Sequence, residues 1–383
     1  MTTSFSARLA VRELEPYAPG LSIDEIRSRY GLERIIKLAS NENPLGVSPL
    51  AKEAVERKAA SVFRYAQSGC PRLVEAIAGL HGLSPDCVVI GNGSDEVIDL
   101  LIRCLAEPGR NNVAVFKPCF GLYPLQSRIC GVELRAAPLR ENFHFDWEAL
   151  LDLVDERTSL VFVTTPDNPS GYSPPAPELE KLALRLPAGT LLVLDEAYMD
   201  FAACSEGIPN SRLAEFSLLP RFRDFGNLAV LRTFSKLHGL AGLRLGYGLM
   251  PAELASCLCR ARLPFSVNIL AEAAGLAALE DRDFLLETLK TVERGRELLQ
   301  RELAALGCRV YPSSSNFIMF APPERDGPAR PEGEAGHVFE SLLRRGVIVR
   351  RLNSYGLPGL LRVSVGKEEE NRIFLTALRE ILA

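Results

Sequence analysis

The alternation of helical segments with short, almost wholly apolar runs constrains the fold of this chain most strongly. These runs are rich in valine and leucine, and they are VAVFKP (113–118), LVFVTTP (160–166), TLLVLDEAY (190–198) and LAVLRTFS (228–235). Strands that are apolar on both faces lie inside parallel sheets with helices on both sides. We therefore predict an α/β fold whose mixed, mostly parallel sheet is covered by helices. Ligands of such sheets bind at the carboxyl ends of the strands, where polar residues follow each run.

The two ends of the chain differ from this pattern. The first residues are rich in prolines and turn formers, and SIDEIRSRYG predicts a short helix with Ser22 as N-cap and Gly31 after its end. After Pro264 we predict one long helical stretch from about Ile269 to Leu306, and then a smaller α+β unit with a Pro/Gly/charge-rich loop at 322–336. The predicted division is an arm with part of the small domain at 1–45, a large domain at 46–268 and a small C-terminal domain at 269–383.

Composition and charge exclude several classes of function. The formal net charge is −4, so no overall basic field favours nucleic acid or an anionic membrane. No run approaches the ~20 apolar residues of a membrane span, and the start of the sequence lacks the apolar core of a signal peptide. The nine cysteines and four histidines have neither disulfide nor metal-ligand spacing. We expect a cytoplasmic protein that acts on small molecules, without metal, nucleic acid or membrane.

The segment RTFSKLHGLAGLRLGYG (232–248) carries the strongest chemical signal. It continues from an apolar strand, and its lysine, Lys236, lies between hydroxyl residues and glycines. The hydroxyls of Thr233 and Ser235 and the guanidinium of Arg244 form a donor set that suits a phosphate. An isolated lysine at a sheet edge is ordinarily a solvated charge, but a lysine beside a phosphate site is suited to form a Schiff base with an aldehyde cofactor.

This segment resembles the lysine motif of fold-type I pyridoxal-phosphate aminotransferases, and the whole chain resembles the histidinol-phosphate aminotransferase family. The matching segments follow one another along nearly the entire chain: KLASNENPLG, FRYAQ, GNGSDEVI, KPCFGLY, TTPDNPSG, LLVLDEAYMDF, RTFSKLHGLAGLRLGY, SSSNFIMF, VIVR and LLRVSVG. Each segment is weak alone, and their common order makes the resemblance specific. It implies pyridoxal 5′-phosphate as cofactor, bound as a Schiff base to Lys236, and a homodimer with shared active sites.

Gly93, Ser94 and Asp95 occupy a predicted turn from a strand into a helix. Backbone N–H groups and the helix dipole at such a turn suit a phosphate, although the same residues also suit a plain N-cap. The resemblance assigns phosphate binding to Ser94, Asp95, Thr233, Ser235 and Arg244. Because a carboxylate would repel the phosphate, we expect Asp95 to contribute its backbone N–H.

Further cofactor contacts follow from the resemblance. Asp195 comes at the end of an apolar strand, and in the family this aspartate pairs with the pyridine nitrogen and keeps it protonated. Tyr198 and Asn168 correspond to the groups that hydrogen-bond the cofactor's phenolic oxygen. Phe120 corresponds to the aromatic residue that stacks on the ring, where relatives often carry tyrosine. Tyr65 corresponds to a tyrosine that reaches the phosphate of the neighbouring subunit's cofactor.

The resemblance also names residues for substrate binding. Arg350 and Arg362 lie in late predicted strands and match the anion-binding arginines of the family, and a guanidinium fork suits a carboxylate or a phosphate. Tyr17 and Asn43 match residues of the arm near the substrate. The sequence departs from the family pattern at Asp167, at Leu237-His238 and at Phe265-Ser266. These departures keep the cofactor residues intact and bear on the exact substrate preference.

We therefore expect an aminotransferase that works between L-histidinol phosphate and 2-oxoglutarate, with imidazole-acetol phosphate and L-glutamate as the other pair, in histidine biosynthesis. An aromatic or broad-specificity amino-acid aminotransferase on the same scaffold is the first alternative. A threonine-phosphate decarboxylase is the next, since its substrate is also a phosphorylated amine. A non-enzymatic binding or regulatory domain would have no need of Lys236, which argues against that class.

Overall fold

The structure of the protein is a computed structural model that describes residues 7–14, 21–324 and 332–383. Its larger sheet has seven strands in the order β2-β8-β7-β6-β5-β3-β4. Neighbours from β7 to β4 run parallel, and only β8 runs antiparallel to both of its neighbours. The mixed, mostly parallel α/β sheet predicted from the sequence is thus confirmed.

The strands and helices of the described residues alternate in the first two thirds of the chain. The strands are β1 (Ile36–Lys37), β2 (Val88–Asn92), β3 (Asn112–Lys117), β4 (Glu133–Pro138), β5 (Thr158–Thr164), β6 (Leu191–Asp195), β7 (Leu228–Thr233), β8 (Leu245–Leu249), β9 (Arg309–Tyr311), β10 (Phe317–Ala321), β11 (Val347–Ile348), β12 (Arg350–Arg351) and β13 (Leu361–Ser364). The α-helices are α1 (Leu9–Arg12), α2 (Ile23–Tyr30), α3 (Pro49–Lys58), α4 (Pro71–His81), α5 (Ser94–Leu105), α6 (Leu122–Cys130), α7 (Trp147–Leu151), α8 (Ala176–Arg185), α9 (Met199–Ala202), α10 (Leu213–Phe216), α11 (Ala252–Ala261), α12 (Ile269–Glu280), α13 (Arg282–Ala305), α14 (Gly333–Arg344) and α15 (Glu368–Leu382).

The central strands are buried along their whole length, as their apolar sequences require. Every residue of β5, β6 and β7 is buried, and one apolar core lies on each face of the sheet. Neither β4 nor β8 is among the strands predicted from the apolar runs. Most residues of β4 are partly or fully exposed, and β8 (LGYGL) contains two glycines, so neither has the uniform apolar pattern of the other strands.

A second sheet of four strands, β12-β13-β10-β9, lies in the C-terminal part with its own core. The short strand β1 from the N-terminal part pairs in parallel with β11, so residues before 45 join this unit. The predicted helix with Ser22 as N-cap and Gly31 after its end is confirmed, since Ser22 accepts from the Glu25 N–H at 3.1 Å and Gly31 is left-handed.

The single helix predicted from about Ile269 to Leu306 is wrong, because the chain breaks at Asp281 into α12 and α13. The Asp281 carboxylate accepts from the Ser48 hydroxyl at 2.5 Å and caps α13 through the Phe284 N–H. Helix α12 packs with the large sheet's core, where Ala271, Ala274 and Ala278 are buried. The proposed division at residues 45 and 268 stays a prediction. In the described residues no helix has the length and apolarity to cross a membrane.

Candidate active site

A cavity of about 280 Å³ lies at the carboxyl ends of the parallel strands. Its lining comes from the ends of β5, β6 and β7, the start of α5 and the segment 40–42. The lining residues are Ser40, Glu42, Gly93, Ser94, Asp95, Phe120, Thr164, Asn168, Asp195, Ala197, Tyr198, Thr233, Ser235, Lys236, Ala241 and Arg244. Every residue that the sequence analysis assigned to the cofactor, Tyr65 excepted, is in this set. The strand-end rule therefore brings widely separated residues into one place.

One corner of the cavity is built for an anion. Helix α5 begins at Ser94 after the N-cap Gly93, which has no side chain to accept from the first N–H groups of the helix. N–H groups at such a helix start suit an anion. Gly93 has a φ of 76°, and a Cβ on Gly246 would lie 2.2 Å from the Ser94 nitrogen, so glycine at both positions permits the close approach of β8 to this turn. Arg244 adds a guanidinium, which contacts the Asp95 carboxylate at 3.1 Å.

Lys236 lines the cavity and lies three residues after the end of β7. Its amine donates to the Ser40 carbonyl at 3.3 Å and lies 5.6 Å from the centre of the Tyr198 ring. Burial lowers the pKa of Lys236 to about 8, and the positive charge of Arg362 lowers it as well, whereas Glu42 opposes the change. A larger share of this amine is therefore neutral near pH 7 than of a free lysine, which suits a nucleophile and a base.

Asp195 ends β6 and is buried, with its carboxylate in the cavity wall. The hydroxyl of Tyr123 donates to Asp195 Oδ2 at 2.7 Å, and the Ala197 N–H donates to Oδ1 at 3.3 Å. Burial raises the pKa of Asp195 to about 6, and the Tyr123 hydrogen bond opposes that rise. The carboxylate is thus held in one orientation and lacks a cationic partner at hydrogen-bond distance in the described residues, so it fits a protonated nitrogen on a ligand.

Tyr198 and Asn168 both line the cavity, and each has a hydrogen-bond partner outside the lining. The amide of Asn41 donates to the Tyr198 hydroxyl at 3.0 Å. The buried guanidinium of Arg362 donates from Nη1 to Asn168 Oδ1 and from Nη2 to the Ala39 carbonyl at 3.1 Å. Its Nε has no hydrogen-bond partner in the described part of the chain, so the Nε–H remains available as a donor.

The other predicted site residues lie outside the cavity lining. Tyr65 is 81% exposed and stacks on Phe265, with 4.7 Å between ring centres. Asn43 donates to the carbonyls of Lys236 and Leu237 at 3.2 and 2.8 Å, so it supports the lysine segment from behind. Arg350, on β12, pairs in register with Arg362 on β13. Tyr17 lies outside the described residues.

Several residues at the cavity were not foreseen from the sequence. Ser40 and Glu42 line it, and they come from the same motif, KLASNENPLG, from which only Asn43 was selected. Thr164 lines it at the end of β5, where the strand-end rule alone would have found it. Tyr123 was missed because it lies within α6 and reaches Asp195 only through the packing of that helix.

Taken together, the side chains fit one kind of ligand. The start of α5 with Thr233, Ser235 and Arg244 suits a phosphate, and Phe120 supplies an aromatic face. Asp195 suits a protonated ring nitrogen, and Lys236 a carbonyl carbon. An aromatic aldehyde that carries a phosphate would satisfy all of them at once.

Comparison with known proteins gave concordant results. The family model described as "Aminotransferase class I and II" matches residues 33–378. The histidinol-phosphate aminotransferase of Nitratidesulfovibrio vulgaris is 56% identical over 382 residues, which cover 100% of this chain and 98% of that protein. The one from Oleidesulfovibrio alaskensis is 54% identical, with 98% and 94% covered. The crystal structure of histidinol-phosphate aminotransferase from Sinorhizobium meliloti in complex with pyridoxal-5′-phosphate has a TM-score of 0.84 at 26% identity and covers 100% of this chain and 99% of its own.

Proposed function

The chain belongs to the aminotransferase class I and II family, and from that premise we propose its reaction. It moves an amino group between L-histidinol phosphate and 2-oxoglutarate, with imidazole-acetol phosphate and L-glutamate as the other pair, in histidine biosynthesis. The observation that carries this assignment is the 56% identity, along the whole chain, to a histidinol-phosphate aminotransferase. A fold resemblance alone would not carry it, because one fold serves many reactions.

The cofactor is pyridoxal 5′-phosphate, as in the structural relative. When bound, it accepts the electron pair that the substrate Cα releases with its proton. We assign its phosphate to the start of α5, with Thr233, Ser235 and Arg244 as further donors. We assign the face of its ring to Phe120, and the ring nitrogen to Asp195.

Lys236 has two successive tasks in this proposal. With the cofactor bound, the Lys236 amine would be the covalent anchor until the substrate amine replaces it. The freed amine would then act as the base that takes the proton from the substrate Cα and as the acid that gives it back. Both tasks need a neutral amine, which the lowered pKa of Lys236, about 8, makes available.

Asp195 acts by holding a charge rather than by moving a proton. A carboxylate against the ring nitrogen keeps that nitrogen protonated, and this favours release of the Cα proton to Lys236. The Tyr123 hydroxyl, 2.7 Å from Asp195 Oδ2, fixes the orientation of the carboxylate. Burial excludes water that would weaken the pairing.

Substrate recognition needs an anion site, because histidinol phosphate has no α-carboxylate and must be held by its phosphate. Arg362 is the first candidate, since its buried fork has an unpaired Nε donor in the described residues. Arg350 lies opposite it on the neighbouring strand. We propose that both bind the substrate anion and that Tyr17 of the arm adds a hydroxyl, while Asn43 holds the lysine segment beneath.

We also propose that two copies form a dimer with shared active sites. Large apolar side chains are exposed in two segments, with Val62, Phe63 and Tyr65 in one and Leu263 and Phe265 in the other. The stacking of Tyr65 on Phe265 brings these two segments together. A patch of this kind on a soluble protein marks an interaction surface. In the dimer Tyr65 would reach the partner subunit's cofactor phosphate. Sedimentation tests this proposal: wild type sediments as a dimer and Phe63→Glu as a monomer, whereas an active wild-type monomer contradicts it.

The cytoplasm is the proposed location. All nine cysteines are free in the structure. Thiols stay reduced in the cytoplasm, whereas secreted proteins form disulfides.

The substrate assignment is tested with purified holoenzyme and a panel of amino donors. Conversion of the bound cofactor to its amino form is followed by absorbance, and kcat/KM is compared for histidinol phosphate, phenylalanine and threonine phosphate. We expect histidinol phosphate to have the highest kcat/KM and glutamate to serve as the second donor. A preference for phenylalanine would make the protein an aromatic aminotransferase, and carbon dioxide release from threonine phosphate a decarboxylase.

A further inference from the structure

Asn41 is a buried residue with a dense set of hydrogen bonds and no role in the function proposed so far. It is 1% exposed and lies in the left-handed region with a φ of 54°, a conformation that asparagine, aspartate and glycine tolerate best. Its Nδ2 donates to the Tyr198 hydroxyl at 3.0 Å. Its backbone N–H donates to the Ser364 hydroxyl at 2.8 Å, and that hydroxyl donates to Asn41 Oδ1 at 3.0 Å.

The hydrogen bonds of Ser364 and Tyr198 define the orientation of the Asn41 amide. The Ser364 hydroxyl accepts from the Asn41 backbone N–H and donates its own proton to Asn41 Oδ1. In this assignment the NH₂ end of the amide faces the phenol. Tyr198 accepts from Asn41, and its own single proton has no acceptor in the described residues. Because Tyr198 lines the cavity, that proton is available to a ligand there.

We propose that Asn41, fixed by Ser364, is a positioning residue that holds the Tyr198 hydroxyl as a hydrogen-bond donor to the cavity. Reversal of the Asn41 amide would turn Tyr198 towards Oδ1 and withdraw its proton from the ligand. The proposal rests on the proposed function in one respect, namely that the phenolic oxygen of the cofactor is the acceptor.

The surroundings of Tyr198 agree with this role. Burial raises the pKa of Tyr198, while Arg362 and the Asn41 hydrogen bond oppose the rise and Asp195 and Asp95 add to it. The phenol therefore stays protonated and able to donate near pH 7. A donor to the phenolic oxygen makes that oxygen less basic, so the proton it shares with the bound Lys236 nitrogen is lost at lower pH.

Five variants test the proposal. Asn41→Asp keeps the shape and the left-handed backbone but places an acceptor before Tyr198, and Asn41→Gly removes the side chain at a φ that glycine accepts. Ser364→Ala frees the amide to reverse. Tyr198→Phe gives the effect of losing the donor altogether. Asn112→Ala is the matched control. Asn112 is also buried and hydrogen-bonded, but it lies at the start of β3, at the sheet edge opposite to the carboxyl ends of the parallel strands.

The first measurement is the pH midpoint of the bound cofactor's absorbance in the holoenzyme. We expect Tyr198→Phe to raise it by about one pH unit, Asn41→Asp to raise it at least as far, Asn41→Gly and Ser364→Ala to raise it less, and Asn112→Ala to leave it unchanged. The second is the titration of the Tyr198 phenol in cofactor-free protein, followed by NMR of ring-labelled tyrosine. Here Asn41→Asp raises the phenol pKa, because the carboxylate accepts the phenol proton.

The role of Asn41 would be overturned if Asn41→Asp kept the wild-type pH midpoint of the cofactor absorbance and the wild-type phenol pKa, while Tyr198→Phe shifted the midpoint. Equal shifts in Asn41→Asp and Asn112→Ala would also overturn it, since the cause would then be general loss of packing. Failure of the proposed function has a different signature. Wild type would then bind pyridoxal phosphate with the expected titration but leave histidinol phosphate unconverted.

Discussion

The strand-end wall of the cavity and the β13 side of the molecule contribute in different ways. At the strand-end wall, Asp195, Thr233, Ser235 and Lys236 come from β6, β7 and the turn after β7, and all of them line the cavity. On the β13 side, Arg362 and Ser364 are not among the lining residues. Arg362 contacts the lining residue Asn168 directly. Ser364 contacts Asn41, which in turn contacts the lining residue Tyr198.

This difference suggests that one region carries out the chemical step and the other controls binding and orientation. Groups at the strand ends are fixed by seven hydrogen-bonded strands, which hold them with the precision that bond making requires. Groups on β13 belong to a separate sheet with its own core, so their distance from the cavity depends on how the two units pack. The strand-end wall should therefore govern the rate of the chemical step, and the β13 side should govern binding and the orientation of donors.

The largest effect is expected for Lys236→Ala. Turnover should fall by several orders of magnitude, because one side chain is both the covalent anchor and the base. The melting temperature of the cofactor-free protein should not fall, since the change removes no salt bridge among the described residues and relieves a buried amine. Steady-state assays and thermal melting measure the two outcomes.

Lys181→Ala is the matched control, because Lys181 is an exposed lysine on α8. It should have wild-type turnover. If Lys236→Ala retains more than a few per cent of the wild-type rate, the lysine has no place in the mechanism.

Asp195→Asn should have the next largest effect. An amide cannot stabilise a protonated ring nitrogen as a carboxylate does, so the rate of Cα deprotonation should fall by roughly 10²-fold or more. Cofactor affinity should change less, because the phosphate contacts remain. Single-turnover absorbance measures the rate, and an unchanged rate would make Asp195 a structural residue only.

The same contrast explains how much of the fold and of the site could be predicted from the sequence. Strand-end residues such as Asp195 and Lys236 follow apolar runs, so one rule of parallel sheets placed them together. Asn41 and Ser364 are 323 residues apart, and no local pattern joins them. The break at Asp281 was hidden for a related reason. The sequence around it favours helix, and the bonds to Ser48 and Leu50 that hold the break arise only in the folded chain.

A third prediction concerns the free energy of unfolding, which the buried charge of Lys236 lowers. Its pKa is about 8 in the folded protein against an ordinary value of 10.5. A lowered lysine pKa means that the folded state binds fewer protons than the unfolded state between these values. The penalty is therefore complete below pH 8 and is relieved as pH rises towards 10.5. Lys236→Met, of similar length and uncharged, should stabilise the cofactor-free protein by about 3 kcal/mol at pH 7, and by less at pH 10.

Urea unfolding of both cofactor-free proteins at the two pH values measures this gain. Buried thiols such as Cys70 and Cys308, whose pKa burial raises to about 11, titrate in the same range. They are common to both proteins and cancel in the difference. A gain that is the same at pH 7 and pH 10 would show that the benefit of methionine comes from packing rather than from the charge.

The smallest effect is expected on the β13 side, for Arg362→Ala. Loss of a buried guanidinium fork leaves the ligand's anion unpaired, so KM for both histidinol phosphate and glutamate should rise at least about tenfold, which is roughly 1.4 kcal/mol. Arg362→Lys keeps the charge without the fork and should also raise KM. Arg309→Ala is the control, since Arg309 is an exposed strand arginine of the same sheet that lies over the Tyr311 ring, and its KM values should equal those of wild type.

The separate effects of Arg362→Ala on KM and on kcat decide what Arg362 does. Arg362 donates to Asn168, so its removal also frees that amide to turn. If KM rises and kcat stays within a few fold, Arg362 binds the substrate anion, and the β13 side controls binding as argued. If kcat falls while KM is unchanged, Arg362 acts through Asn168 on the cofactor, and the division of labour between the two sides fails at this residue. Arg350 and Tyr17 would then bind the substrate anion, and Arg350→Ala should raise KM instead.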